Sequence, residues 1–193
     1  MERQPAKVPR PADVRKLLRH VGRQRYPDRA IVMVLLSFRA GLRACEISGL
    51  RWSMILASNQ RVGQQITIAR SIAKRGSGRR VPLHPELKAA LTRLHAVEGK
   101  PVDGPVIRSE RDDHMKPASI VNWFRIAYDQ LELNDCSSHS GRRTFITMSA
   151  RLLAKSGGSL RDIQELAGHR SLTTTERYIE GDRDAQRRLI RLL

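Results

Sequence analysis

The chain reads as a mainly α-helical domain (α+β) with one small antiparallel sheet. Three observations predict this. Apolar residues recur at helical spacing along most of its length, as in Val14, Leu17, Leu18 and Val21, and again in Ile120, Val121, Phe124, Ala127 and Leu131. The period changes once, between residues 64 and 83, where Ile66 and Ile68 alternate with polar neighbours and Arg80-Val81-Pro82-Leu83 forms a second extended stretch. Prolines stand where helices begin and glycines where they end, with Pro11 and Pro117 at starts and Gly41, Gly157 and Gly168 at stops. At 193 residues the chain suits one ordinary domain with a proper hydrophobic core.

Each element follows in order. Residues 1–10 are basic and proline-containing, and read as a flexible arm. A helix follows Pro11 and Asp13. Asp28 is the expected cap of a second helix through residues 30–36, apolar on all sides and therefore central. Gly41 breaks it, and a short helix follows over residues 43–50. Lys74-Arg75-Gly76-Ser77-Gly78 is the basic tip of the hairpin. Leu87, Leu91, Leu94 and Val97 mark the next helix, and Pro117 opens the one after it. A long helix runs from His139 to about Lys155 and stops at Gly157-Gly158. Ser159 and Asp162 resemble a capping box for a helix that runs to Gly168. Ser171 starts a shorter helix expected to bear Tyr178. Asp182 can cap a last amphipathic helix over residues 182–193, with Ala185, Leu189 and Leu192 or Leu193 on its apolar stripe.

Lys and Arg number 36 against 19 Asp and Glu, a formal net charge of +17. So large an excess points to a polyanionic partner, nucleic acid first. Aromatic content of 4% argues against a single-strand binder built on stacking platforms. Cys45 and Cys136 have no metal-ligand spacing and make no disulfide framework, so free thiols of a reducing cytoplasm are expected. The N-terminus has no apolar signal core, and the run Ala30–Phe38 is too short to span a bilayer. No membrane partner is therefore expected.

The chemistry lies in an ordered set. Gly41-Leu42-Arg43-Ala44-Cys45-Glu46 comes first, then His139-Ser140-Gly141-Arg142, then Leu166-Ala167-Gly168-His169, with Tyr178 nine residues on. Guanidinium groups match phosphate oxygens bidentately and keep their charge, so Arg43 and Arg142 suit one phosphodiester. Glu46, three residues after Arg43, shares its helical face and is placed to orient it; a surface ion pair is the plainer reading. His139 and Arg142 sit at a helix start, where the amide dipoles add positive potential. A tyrosine phenol is normally protonated at neutral pH and attacks only where positive charge stabilises the phenolate. Taken alone, Tyr178 would be a packing residue; the Gly168-His169 and Thr173-Thr174-Thr175 context raises it. His20, His84, His95 and His114 lack such context and read as surface residues. No carboxylate or second histidine stands at ligand spacing from His139 or His169, so no metal is expected.

This set resembles the tyrosine recombinase (phage integrase) family, over roughly residues 12–181. The resemblance implies a catalytic domain over residues 11–181 that cuts and rejoins duplex DNA with no metal and no cofactor. It makes Tyr178 the nucleophile, forming a 3′-phosphotyrosyl link, with Arg43, Arg142 and His169 stabilising the phosphorane, His139 moving protons and Glu46 in support. It makes Lys74 the acid for the leaving 5′ oxygen: Lys74 lies eight residues before Pro82, the family's usual spacing, although Ala73 stands where glycine is frequent. A phosphate contact is the other reading of Lys74. Arg75, Arg79, Arg143 and Arg177 are expected to touch DNA.

The family commonly precedes this domain with a helical DNA-clamping domain. Here 193 residues leave no room for one, so weaker affinity and specificity are expected. The resemblance further implies a chain weakly associating or monomeric alone, a homotetramer on paired sites docked through residues 182–193, DNA-bending helper proteins, and a cytoplasmic, nucleoid-associated setting of prokaryotic or phage type. Two other readings stand beside it: DNA relaxation like that of a type IB topoisomerase, and a non-cutting regulator descended from a recombinase.

Overall fold

The computed structural model describes residues 6–111, 114–178 and 190–191. The element order is α1 (Pro11–Val21), α2 (Pro27–Arg39), α3 (Ala44–Ser48), β1 (Gln65–Ile68), β2 (Arg79–Pro82), α4 (Pro85–Val97), α5 (Pro117–Asp129), α6 (Ser140–Ser156), α7 (Leu160–Ala167) and α8 (Leu172–Glu176). Single 3₁₀ turns form at Trp52–Met54 and Lys74–Gly76. The predicted class, helices with one two-stranded antiparallel sheet, is what the chain forms.

Helix α2 is the central post. Val32, Met33, Val34, Leu35 and Leu36 are all buried, so every face of the helix meets protein. Helix α4 packs against it, and α6 crosses it so closely that a Cβ on Gly141 would collide with Ser37. Pro27 rather than Asp28 opens α2. Its fixed φ suits the first helical position, so Asp28 falls inside the first turn and pairs with Arg93 at 2.5 Å instead of capping. Gly41, at φ +64°, turns the chain out of α2, and a side chain there would run into the ring of Phe145.

The hairpin aligns Ile66 with Val81 and Ile68 with Arg79. Ile66, Ile68 and Val81 face the core and their neighbours face outward, as period-two alternation requires. The main core runs continuously from α1 to α5. A second, smaller cluster of Ile146, Ile163 and Ala167 joins α6 to α7, with Tyr178 packed against it. Ser159 receives the Asp162 carboxylate at 2.7 Å on its backbone N–H, so the aspartate serves the capping role read for it.

Other expectations also need correction. Val97 and Val121, placed on apolar helix faces by their spacing, are 68% and 44% exposed. His95 is buried rather than superficial: its ring lies 4.7 Å from that of Trp52, and its Nε2 is 3.0 Å from the Pro101 carbonyl. Helix α8 ends at Glu176, so Tyr178 stands two residues beyond it. His20 lies at the surface as read, hydrogen-bonded to Gln130 at 2.8 Å, a tie across α1 and the end of α5. The amphipathic tail expected over residues 182–193 lies almost wholly outside the described residues. No described helix is long and apolar enough to cross a membrane.

Candidate active site

The site begins at the N-terminus of α3. Arg43 is its N-cap, and the backbone N–H of Arg43 donates to Glu46 Oε2 at 2.8 Å while its guanidinium donates to Oε1 at 3.2 Å. Glu46 is fully buried. A second guanidinium makes that burial tolerable: Arg79 on β2 donates from both terminal nitrogens to the same carboxylate, at 2.8 and 3.0 Å. Burial alone would push the Glu46 carboxyl up. The hydrogen bonds and charge of Arg79, followed by those of Arg43, outweigh burial and hold it below its ordinary value. Glu46 is thus a fixed anion, and the side chain of Arg43 is oriented by it.

Helix α6 supplies two more groups. His139 is its N-cap residue and is exposed, while Arg142, one turn in, is 3% exposed. Arg142 Nη1 donates to the Gly41 carbonyl at 2.6 Å and Nη2 to the Ala167 carbonyl at 2.5 Å. The guanidinium therefore spans the turn after α2 and the end of α7, and its plane is set by both. Desolvation and then the charge of Arg43 lower its pKa, yet it stays far above neutrality. His139 is held below the ordinary histidine value, first by partial burial, then by the charges of Arg142, Arg43 and Lys74. These causes all favour its uncharged form.

The third wall is the α7–α8 turn. Gly168 takes φ +63° to end α7, and a Cβ there would meet the Arg79 guanidinium at 3.0 Å. Arg79 Nε donates to the Leu166 carbonyl at 2.7 Å, so the same arginine binds α3, β2 and α7 together. His169 follows, 8% exposed, its main chain locked by reciprocal bonds with Gln164 at 3.0 and 3.1 Å. Its Nδ1 lies 3.0 Å from Thr175 Oγ1. Desolvation, then Arg142, Arg43 and Arg79, push its pKa down to about 4. The ring of Tyr178 stacks on His169 with centroids 5.6 Å apart, and the Arg143 guanidinium carbon lies 6.0 Å from the tyrosine centroid.

Of the residues singled out in the sequence, Arg43, Glu46, His139, Arg142, His169 and Tyr178 converge. Lys74 is exposed on the hairpin turn, near enough for its charge to act on His139. Arg177 is exposed beside the nucleophile candidate, and the side chain of Arg75 lies outside the described residues. Arg79 departs from its expected place on the DNA: its side chain is 5% exposed and committed to Glu46 and Leu166. The signal was present in the period, because Arg79 shares its strand face with the buried Val81, two residues on. Thr175, which in the sequence is only context for Tyr178, is fully buried against His169. Among the described residues no group of three or more His, Cys, Asp or Glu side chains could hold a metal, and Cys45 and Cys136 are free thiols.

The chain is similar to known proteins. A family model described as the phage integrase family matches residues 7–184. The tyrosine recombinase XerC of Mesorhizobium japonicum is 34% identical over 152 residues, covering 77% of this chain and 45% of that protein. The XerC of Rhodospirillum centenum is 33% identical over 158 residues, covering 80% and 42%. The chain spans less than half the length of these curated relatives. Among solved structures, the Tn1549 transposon integrase in complex with transposon right end DNA shares the fold at TM-score 0.77 and 17% identity, covering all of this chain and 67% of that one. The integrase from mycobacterium phage Brujita matches at TM-score 0.58 and 26% identity, covering 90% and 54%. With its family model spanning nearly the whole chain and its buried arginines closing around a stacked histidine and tyrosine, the protein belongs to the phage integrase family.

Proposed function

We propose that this chain is a site-specific DNA recombinase that cuts and rejoins duplex DNA through a 3′-phosphotyrosyl intermediate. The observation that carries the reading is Tyr178 stacked on His169 beside a buried Arg142 whose orientation two carbonyls fix. A phosphodiester placed there meets two guanidinium groups, Arg43 and Arg142, that are held before the substrate arrives. Preorganised charge of this kind stabilises the phosphorane without reorganisation at the moment of reaction.

The step balances on this chain's residues. Tyr178 Oη bonds to phosphorus as its proton passes to a neutral acceptor, and His139 fits that role. The bond from phosphorus to the 5′ oxygen breaks, and Lys74 donates the proton that leaves with the 5′ hydroxyl. The incoming 5′ hydroxyl of a partner strand reverses both transfers and frees Tyr178. The phosphotyrosyl ester conserves the bond energy, so rejoining requires no nucleotide. Two duplexes of two strands each offer four scissile bonds, which favours four copies of the chain on paired sites. The relatives are bacterial, and we place the reaction on DNA in the cytoplasm.

The test is exchange between two plasmid-borne copies of the DNA flanking the chain's own gene. Recombinant plasmids are the expected product. Supercoil relaxation with no exchanged product would instead assign a topoisomerase-like activity, and binding with neither would assign a regulator.

A further inference from the structure

The contact between His169 Nδ1 and Thr175 Oγ1, 3.0 Å long, can be made in two ways. Either the ring donates to the hydroxyl or the hydroxyl donates to the ring. Thr175 is fully buried. A buried hydroxyl proton with no acceptor bears the whole desolvation cost of that group. Among the described residues the hydrogen-bond partner of this hydroxyl is the His169 ring nitrogen, so the satisfied arrangement has Thr175 donating. The charged groups that act on the ring from the surrounding elements are Arg142 on α6, Arg43 at α3, Arg79 on β2 and the Glu46 carboxylate. They keep the imidazole neutral, so it carries one proton and has a tautomer to choose. The rest of the residue is already fixed, with its main chain bonded to Gln164 and its ring stacked on Tyr178. The tautomer is the remaining variable.

We infer that Thr175 is a positioning residue that sets the tautomer of His169: its hydroxyl donates to Nδ1, which places the ring proton on Nε2 as a hydrogen-bond donor for the phosphate. The inference rests on the recombinase reading only for the identity of the anion. A neutral ring of the opposite tautomer would present the Nε2 lone pair to a phosphate oxygen and repel it. The bond also ties His169 to α8 at Thr175, three residues before Tyr178, so donor and nucleophile are placed by one contact.

The experiment is a two-bond proton–nitrogen correlation spectrum of the histidine-labelled full chain at neutral pH, with His169→Gln used for assignment. The wild type and Thr175→Ser should both carry the proton on Nε2 of His169. Thr175→Val, which keeps the shape and removes the hydroxyl, should show mixed or reversed protonation. A proton on Nδ1 in the wild type overturns the inference, and so does an unchanged spectrum in Thr175→Val. If the valine variant does not fold, the wild-type and serine spectra still decide. The same proteins are then offered nicked duplexes tiled across the DNA flanking the gene. Thr175→Val should form the covalent adduct roughly tenfold or more slowly, and Thr175→Ser within about threefold of wild type. Wild-type rates in the valine variant would overturn the positioning role. A wild type with the assigned tautomer but no adduct on any duplex would sink the recombinase reading and leave the tautomer assignment standing.

Discussion

Lys74 and His169 show how the same cationic pocket makes different demands on single residues. Lys74 is exposed on a turn, whereas His169 is enclosed. If Lys74 is the acid, Lys74→Ala will be severely slow on ordinary DNA and rescued on a bridging 5′-phosphorothiolate, whose sulfur leaves without a proton. Adduct formation measured on both substrates decides, since equal defects would make Lys74 a phosphate contact. His169 makes a prediction about stability. Its folded pKa near 4 lies below the ordinary histidine value of 6.5, so the unfolded chain takes up the proton first. The stabilisation is therefore complete above about pH 6.5 and drains as pH falls toward 4, by on the order of 3 kcal/mol for this one group. His139, shifted in the same direction, adds to the trend. Urea unfolding at neutral and mildly acidic pH should show a smaller acid loss in His169→Gln than in the wild type.

At the scale of elements, Arg79 is where three of them meet: β2 carries it, α3 presents Glu46 to it and α7 gives it the Leu166 carbonyl. Removing it leaves a buried carboxylate without its stronger partner, a change that costs about 3–5 kcal/mol. Arg79→Ala should therefore lower stability by that order while leaving the salt slope of DNA binding unchanged. Arg177→Ala, at an exposed position, should lower the slope by about one while sparing stability. Equal slopes lost in both would return Arg79 to the DNA. The sequence made the frame legible because its signals are local. Apolar spacing predicts α1, α4 and α5, and glycine stops end α2, α6 and α7. The ordered Arg43, His139, Arg142, His169, Tyr178 set is legible as a sequence pattern, and the fold brings these side chains together. The contacts of Arg79 and Thr175 are not legible, because each depends on a partner brought near by the fold: Glu46 on α3 is 33 residues before Arg79 on β2. The start of α2 was misread because Asp28 looks like a cap until Pro27 is given priority. His95 was misread because its partner Trp52 lies outside any periodic pattern.

For the whole molecule the governing quantity is charge, +17 over 193 residues, much of it on exposed arginine and lysine. If binding draws on roughly five or more phosphates, affinity for duplex DNA should fall by orders of magnitude between about 50 and about 200 mM salt. A nearly flat dependence, measured by titration on one duplex, would contradict that. We further propose that residues 182–193, almost wholly outside the described residues, dock on a neighbouring copy. Deleting residues 183–193 should then impair synapsis and exchange between paired sites more than binding to one duplex, and normal exchange by the truncated chain would refute docking. In the proposed reaction Tyr178 becomes bonded to DNA. The most direct measurement is to trap the protein on nicked duplexes tiled across its flanking DNA, digest the adduct and locate the modified peptide by mass. A nucleotide-bearing peptide containing Tyr178 is expected, and no covalent complex in Tyr178→Phe, which should still bind DNA within a few-fold of wild type. An adduct that persists in Tyr178→Phe, or one that maps to another residue, would contradict it.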